Sequence, residues 1–156
     1  LGLRIADELG VVGVLAVELF ENDRGGLVVN ELAMRPHNSG HWTQNGSVTS
    51  QFEQHLRAVL DYPLGDTRPL APVTVMANVL GAEAAPAMSM DERVHHLFGR
   101  IPDAHVHLYG KQERPGRKIG HVNILGDDVN TVRERAERAA HWLSNAVWTD
   151  GWDGHR

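Results

Sequence analysis

The chain has no cysteine, which excludes disulfides, thiolate nucleophiles and Cys-ligated zinc together and suits a reducing compartment. It also lacks an excess of positive charge. Fifteen Lys and Arg against 20 Asp and Glu leave a net charge of −5, whereas a nucleic-acid binder normally shows a basic face and a high pI. There is no apolar run of about 18 residues and no basic-then-apolar leader, so we expect neither membrane span nor signal peptide, and a cytoplasmic location. Repeats and low-complexity segments are absent too. What is present is globular: 42% hydrophobic and 22% charged residues over 156 positions, enough apolar side chain for a sizeable core. Histidine is frequent, at ten residues, yet no His-Glu-x-x-His helix pairs two of them as zinc ligands. His95, His96, His105 and His107 read as solvated or packing residues.

Chemistry concentrates in residues 30–41, Asn-Glu-Leu-Ala-Met-Arg-Pro-His-Asn-Ser-Gly-His. Val28 and Val29 lead in as a strand, and Pro36 cannot donate to a ladder, so the strand is expected to stop near Arg35. Glu31, Arg35 and His37 share one parity, which in an extended chain puts an acid, a fixed cation and an imidazole on one face. Residues 11–20 form a second apolar run of strand length, and Glu-Asn-Asp-Arg-Gly-Gly at 21–26 is hairpin-turn chemistry. A turn centred on Arg24 and Gly25 sets Glu18 opposite Glu31. Like charges with Cβ atoms ~4.5–5.5 Å apart destabilise a sheet unless something positive lies between them. A divalent cation meets that need, and two carboxylates with water and substrate phosphates is a usual way to hold Mg²⁺.

Further along, Ser47 or Thr49 can cap a helix reaching Leu60, and residues 62–69, rich in Pro and Gly, read as a linker into a second unit. Residues 71–80, 104–109 and 121–125 read as strands, with a short helix capped by Asp91 running to Phe98. Asp127 or Asp128 caps a final helix to about Val147, whose charged run 133–138 reads as a solvated face. The residues after Trp148 are expected to fray. Lys111, Arg114, Arg117 and Lys118 crowd a turn set by Pro115 and Gly116, where an anion is the natural guest: Arg offers a planar fork and Lys a mobile point charge.

Three ordered blocks carry a family resemblance. Residues 30–41, then Val-Thr-Ser-Gln-Phe-Glu-Gln-His-Leu-Arg-Ala-Val at 48–59 and Leu-Tyr-Gly-Lys-Gln-Glu-Arg-Pro-Gly-Arg-Lys-Ile-Gly-His at 108–121, resemble the 5-(carboxyamino)imidazole ribonucleotide synthases, ATP-grasp ligases of purine biosynthesis. Met34 stands where Pro is common in that family, and Gln44-Asn45-Gly46 replaces a usually apolar and acidic segment.

The resemblance implies an α+β fold. Residues 1–66 would be the C-terminal half of an ATP-grasp domain, an antiparallel sheet with helices. Residues 67–156 would be a small, mostly-β C-terminal domain with a terminal helix, carrying the basic loop. The chain would then be a C-terminal fragment, inactive alone, and residues 1–9 read accordingly as the last turns of a helix that begins upstream. The implied reaction is ATP- and bicarbonate-dependent carboxylation of 5-aminoimidazole ribonucleotide through carboxyphosphate, with ATP and Mg²⁺ as cofactors and a homodimer as the assembly. Glu18 and Glu31 are expected to hold the metal, and Asn30 with Glu31 to meet the nucleotide or its metal. Arg35, His37 and Lys111 are the expected catalytic groups. Asn38, Ser39, Lys111 and either Arg117 or Lys118, or both, are expected on the substrate. The rival readings are another ATP-grasp ligase, such as formate-dependent glycinamide ribonucleotide transformylase, and a non-catalytic binding or dimerisation piece.

Overall fold

The structure, a computed structural model, describes residues 1–152. It divides into two compact units, Leu1–Leu70 and Ala71–Arg156.

In the first unit, helix α1 (Gly2–Glu8) precedes an antiparallel hairpin of β1 (Ala16–Glu21) and β2 (Leu27–Ala33). The turn is tighter than a Gly-Gly pair requires. Asn22 Oδ1 accepts from the amides of Arg24 and Gly26, and Gly25 takes φ +73°, a left-handed conformation that glycine enters without a steric penalty. The loop is therefore three residues centred on Arg24, and next to it the register pairs Phe20 with Val28. That is one position off the register needed to oppose Glu18 and Glu31. A bulge restores it: Leu19 pairs with Val29 and Glu18 with Glu31, leaving Asn30 as the extra residue. The second strand ends at Ala33, two residues before the expected Arg35.

Residues 37–46, expected as plain loop, contain a 3-10 turn (Asn38–Gly40) and the single turn α2 (Thr43–Gly46). Helix α3 (Gln51–Val59) is capped by Ser50, whose hydroxyl accepts from Glu53 N. Ser47 and Thr49 are instead buried, and the amides of Val48 and Thr49 donate to the carbonyls of Arg68 and Asp66. Ala33 is the one buried hydrophobic residue of this unit among the described residues, and Phe20, Leu27, Val28, Val29 and Leu32 of the hairpin are exposed.

The second unit is a three-stranded antiparallel sheet in the order β3 (Val73–Leu80), β5 (Lys118–Gly126), β4 (His105–Leu108), with α4 (Met90–Arg100) and α5 (Val129–Asn145). Its two helices hold more residues than its strands. The central strand β5 is buried almost continuously rather than alternately, because it has a neighbour on each edge and helix cover. Ile119, Val122 and Ile124 meet Val79, Leu97, Val132, Ala136, Ala139 and Leu143 in one core, the alanines letting α5 lie close to the sheet. Ser89, not Asp91, caps α4, because Glu92 three residues on completes a reciprocal capping box. Asp128 caps α5. On that helix Arg133, Glu134 and Glu137 are exposed as expected, while Arg135 pairs with Asp103 and Arg138 with Glu134 and Asp150.

Past Trp148 the chain is more ordered than expected. Trp148 is buried and stacks on Trp142 with centroids 4.4 Å apart. The Arg100 guanidinium lies 4.3 Å from the Trp148 centroid and 4.6 Å from that of Trp152, and pairs with Asp150. Cation–π contact and ion pairing thus hold residues 149–152; residues 153–156, part of the expected frayed tail, lie outside the described residues. Trp148→Ala should lower unfolding free energy by about 3–5 kcal/mol in denaturant titration, as for a packed aromatic. A loss below roughly 0.5 kcal/mol, the scale of a surface substitution, would show the tail to be frayed after all.

Candidate active site

The bulge decides which side chains meet. In regular alternation Asn30 and Glu31 point to opposite faces; with Asn30 as the extra residue, its Nδ2 donates to Glu18 Oε1 at 2.6 Å. Arg35 reaches back four residues to Glu31, 3.3 Å away, and both side chains stay well exposed. His37 Nε2 lies 3.8 Å from Glu18 Oε2 and 3.9 Å from Glu31 Oε1. Glu18, Glu31 and His37 form a group whose ligand atoms all lie within 4.8 Å of one another, the one such cluster among the described residues. Hard carboxylate oxygens suit Mg²⁺ or Mn²⁺. Two exposed carboxylates this close together would both be available to one such ion. The residues therefore fit the metal.

His37 is held differently from the acids. Its side chain is 14% exposed against 45% for each carboxylate. It caps the 3-10 turn, Nδ1 accepting from Ser39 N at 3.3 Å and lying 2.9 Å from Ser39 Oγ. An Nδ1 that accepts leaves the proton on Nε2, so this imidazole presents a donor toward the carboxylates rather than a free lone pair. Its backbone is clamped by the Gln51 side chain. Gln51 Oε1 accepts from His37 N at 3.0 Å, and Gln51 Nε2 donates to His37 O at 2.8 Å. The same amide nitrogen sits 2.8 Å from His41 Nδ1. Gln51 lies within the quoted 48–59 block, just past the Ser50 cap, but an uncharged side chain at a helix start carries no signal of chemistry. Asn38 is partly buried and Ser39 exposed beside this turn, next to a cleft of about 510 Å³ lined by Glu18, His37, Ser39, Trp42 and Thr43.

Lys111, Arg117 and Lys118 belong to the second unit. Lys118 is already in β5, while Lys111, Arg114 and Arg117 project from the loop before it. The loop is fastened through backbone to the end of β3: Gly81 N donates to Arg117 O and Gly116 N to Gly81 O, both at 2.9 Å. A Cβ on Gly81 would stand 2.1 Å from Arg114 O, so only glycine admits this approach. Behind the loop Tyr109 forms a floor, with Lys111 Nζ 5.4 Å and Lys118 Nζ 5.7 Å from its ring centroid. The Tyr109 hydroxyl is 2.6 Å from His121 Nδ1, and the His121 ring stacks on His107 at 4.6 Å. Burial pushes the Lys118 pKa down, and the nearby Lys111 ammonium lowers it further. Burial likewise raises the Tyr109 pKa and, with His105, lowers that of His107.

Each of the two units matches a family model. Residues 1–52 match the ATP-grasp domain, and residues 74–135 match the phosphoribosylaminoimidazole carboxylase C-terminal domain. The chain is 75% identical over 156 residues to N5-carboxyaminoimidazole ribonucleotide synthase of Mycobacterium tuberculosis, covering all of this chain and 36% of that protein. It is 60% identical over 161 residues to the synthase of Corynebacterium ammoniagenes, covering 97% of this chain and 38% of that one. Among solved structures, the phosphoribosylaminoimidazole carboxylase ATPase subunit of Aquifex aeolicus superposes with TM-score 0.73 at 40% identity, over 90% of this chain and 41% of that one. An Aspergillus clavatus synthase in complex with ADP and 5-aminoimidazole ribonucleotide superposes with TM-score 0.66 at 32% identity, over 84% of this chain and 35% of that one. The chain spans about a third, 36%, of the length of the Mycobacterium synthases it matches. Among the described residues no helix is long and apolar enough to cross a membrane.

The lysine pair makes a direct test of the loop geometry. With its folded pKa depressed, Lys118 binds fewer protons in the native state than in the unfolded chain, so its contribution to stability rises with pH through the window between the two values. NMR titration of Lys118 should give a pKa below that of free lysine, and Lys111→Met should bring it part of the way back, the burial share remaining. An unmoved Lys118 pKa in that variant would place the two ammonium groups out of each other's reach.

Proposed function

We propose that the protein carrying this chain carboxylates 5-aminoimidazole ribonucleotide at the expense of ATP and bicarbonate, and works as a cytoplasmic homodimer. The observation that carries this reading is the pair Glu18 and Glu31, opposed across a bulged hairpin with His37 Nε2 within 4 Å of both, in the region that matches an ATP-grasp domain. Support from the other end is the basic loop, which falls in the region matching the carboxylase C-terminal domain.

A bicarbonate oxygen attacks the γ-phosphorus of ATP and ADP leaves, giving carboxyphosphate. The exocyclic amine of the ribonucleotide then attacks the carboxyl carbon, phosphate leaves, and the amine gives up a proton. Glu18 and Glu31 would hold Mg²⁺, which would supply charge neutralisation on the nucleotide's phosphate oxygens. Asn30, hydrogen-bonded to Glu18, orients that carboxylate. The His37 Nε2–H donates to an oxygen of bicarbonate or of the phosphoryl group, and the Gln51 clamp fixes the direction from which it does so. Arg35 neutralises an anion beside Glu31 with a planar fork. Asn38 and Ser39 offer polar contacts at the cleft. Lys111, Arg117 and Lys118 hold the phosphate of the ribonucleotide.

In the full-length protein, Glu31→Gln removes a metal charge without removing volume, and we expect bicarbonate-dependent ATP turnover to fall by about a hundredfold or more. Turnover near wild type at saturating Mg²⁺ would refute the metal assignment. Arg117→Ala should raise KM for the phosphorylated aminoimidazole about ten- to hundredfold and leave KM for ATP nearly unchanged. An equal loss with the dephosphorylated nucleoside would remove the loop from phosphate binding.

A further inference from the structure

The basic loop contains an acid that it must keep away from its own cations. Within residues 110–118 there are four cationic side chains and one carboxylate, Glu113. An exposed Glu there would fold onto Lys111, Arg114 or Arg117 and occupy the groups an anion needs. In the structure it does not. Glu113 Oε1 accepts from Arg93 NH2 at 2.6 Å, and Arg93 is 2% exposed. The rest of that guanidinium faces backbone carbonyls: Leu143 and Ser144 at the end of α5 take NH1, and Ser89 at the start of α4 takes Nε. The Arg93 carbonyl in turn accepts from Trp142 Nε1 at 2.7 Å. These carbonyls place a cation favourably at a helix C-terminus but cannot neutralise it. A buried arginine needs one carboxylate, and among the described residues the loop supplies the one it has. The two arginines left in the loop contact no acid there: Arg114 NH2 and Arg117 NH1 both reach Gln112.

We infer that Arg93 is a positioning residue for the anion-binding loop: by drawing Glu113 into the α4–α5 seam, it holds the loop's single negative charge off Lys111, Arg114 and Arg117 and leaves them to a phosphomonoester. This rests on the loop being a phosphate site, as set out above. The arrangement ties a carboxylate that stays 31% exposed to a buried guanidinium, so it adds net positive charge to the loop's outer face without adding a cation. It also ties the loop to the core through Trp142 and the end of α5.

The test uses ribose 5-phosphate as the probe and the full-length protein. Arg93→Met should weaken binding in calorimetry about fivefold, the scale of one exposed ion pair, and less at high salt. Adding Glu113→Gln to Arg93→Met should restore affinity to within twofold of wild type, because the released charge is gone. A merely structural arginine gives the opposite result: a double variant as weak as the single one, which overturns the inference, as does wild-type affinity in Arg93→Met. Should Arg93→Met fail to fold, Glu113→Asp replaces it. That change keeps the charge in the loop but shortens its reach to Arg93, and should weaken binding while Glu113→Gln alone does not; equal affinity in the two overturns the inference. A readout without ligand separates the two levels of the account. Modification of Arg114 and Arg117 by phenylglyoxal, mapped by mass spectrometry, should slow in Glu113→Asp or Arg93→Met and recover in the double variant. If modification follows this pattern while wild type shows no saturable binding of ribose 5-phosphate, the phosphate reading of the loop fails and the placement of Glu113 stands; unchanged modification rates refute the placement itself.

Discussion

Two carboxylates face each other across a hairpin whose register sets a donor amide, an imidazole and an exposed arginine near them. That opposition is the constraint from which the first unit follows. A sheet tolerates Glu18 against Glu31 only if positive charge is supplied, so the surrounding chain is organised to deliver it or to leave room for it. Asn30 is spent as a bulge so that its amide reaches Glu18, the strand stops early enough for Arg35 to fold back on Glu31, and the 3-10 turn brings His37 over both. None of these groups contributes much to stability. Exposed ion pairs of this kind are worth ~0–1 kcal/mol, and Phe20, Leu27, Val28, Val29 and Leu32 of the hairpin remain exposed. A two-stranded ribbon is marginal in water without a packed face, so the arrangement is one that function, rather than folding, accounts for.

The second unit solves a related problem with the opposite charge. Four cations must be gathered on one turn without collapsing onto neighbouring acids or repelling one another apart. Backbone does the gathering: Gly81 admits the loop at a distance that any side chain would forbid. The Tyr109 ring then accommodates two ammonium groups side by side, at the cost of a lowered Lys118 pKa. The buried guanidinium of Arg93 removes the acid.

Charge and parity were the legible part of the sequence. Glu18 against Glu31, the convergence of Glu31, Arg35 and His37, and the basic turn before β5 could all be stated from spacing and turn chemistry. The Glu18–Glu31 pairing was reached through two errors that cancel: the turn centres on Arg24, one half-step from the expected position, and the bulge at Asn30 makes up the difference. Bulges are set by what surrounds a strand and leave no mark on a two-residue period. Gln51 was missed because a neutral amide announces itself only through the backbone it grips. The residues after Trp148 read as a frayed tail because Arg100, the partner of Asp150 and Trp152, is some fifty residues away in sequence. Local composition reads polar and Gly-rich there, while the packing is tertiary.

The claim beneath all of this is that the opposed carboxylates are a divalent-cation site. Its most direct measurement is electron paramagnetic resonance of Mn²⁺ titrated into the full-length protein without nucleotide, where bound ion disappears from the free-ion spectrum. We expect wild type to take up one Mn²⁺ in the millimolar range, Glu18→Gln to weaken that uptake about tenfold or more, and Glu53→Gln, an exposed acid already paired with Arg57, to leave it unchanged. Equal uptake by wild type and Glu18→Gln would contradict the account, and the facing pair would then need another explanation.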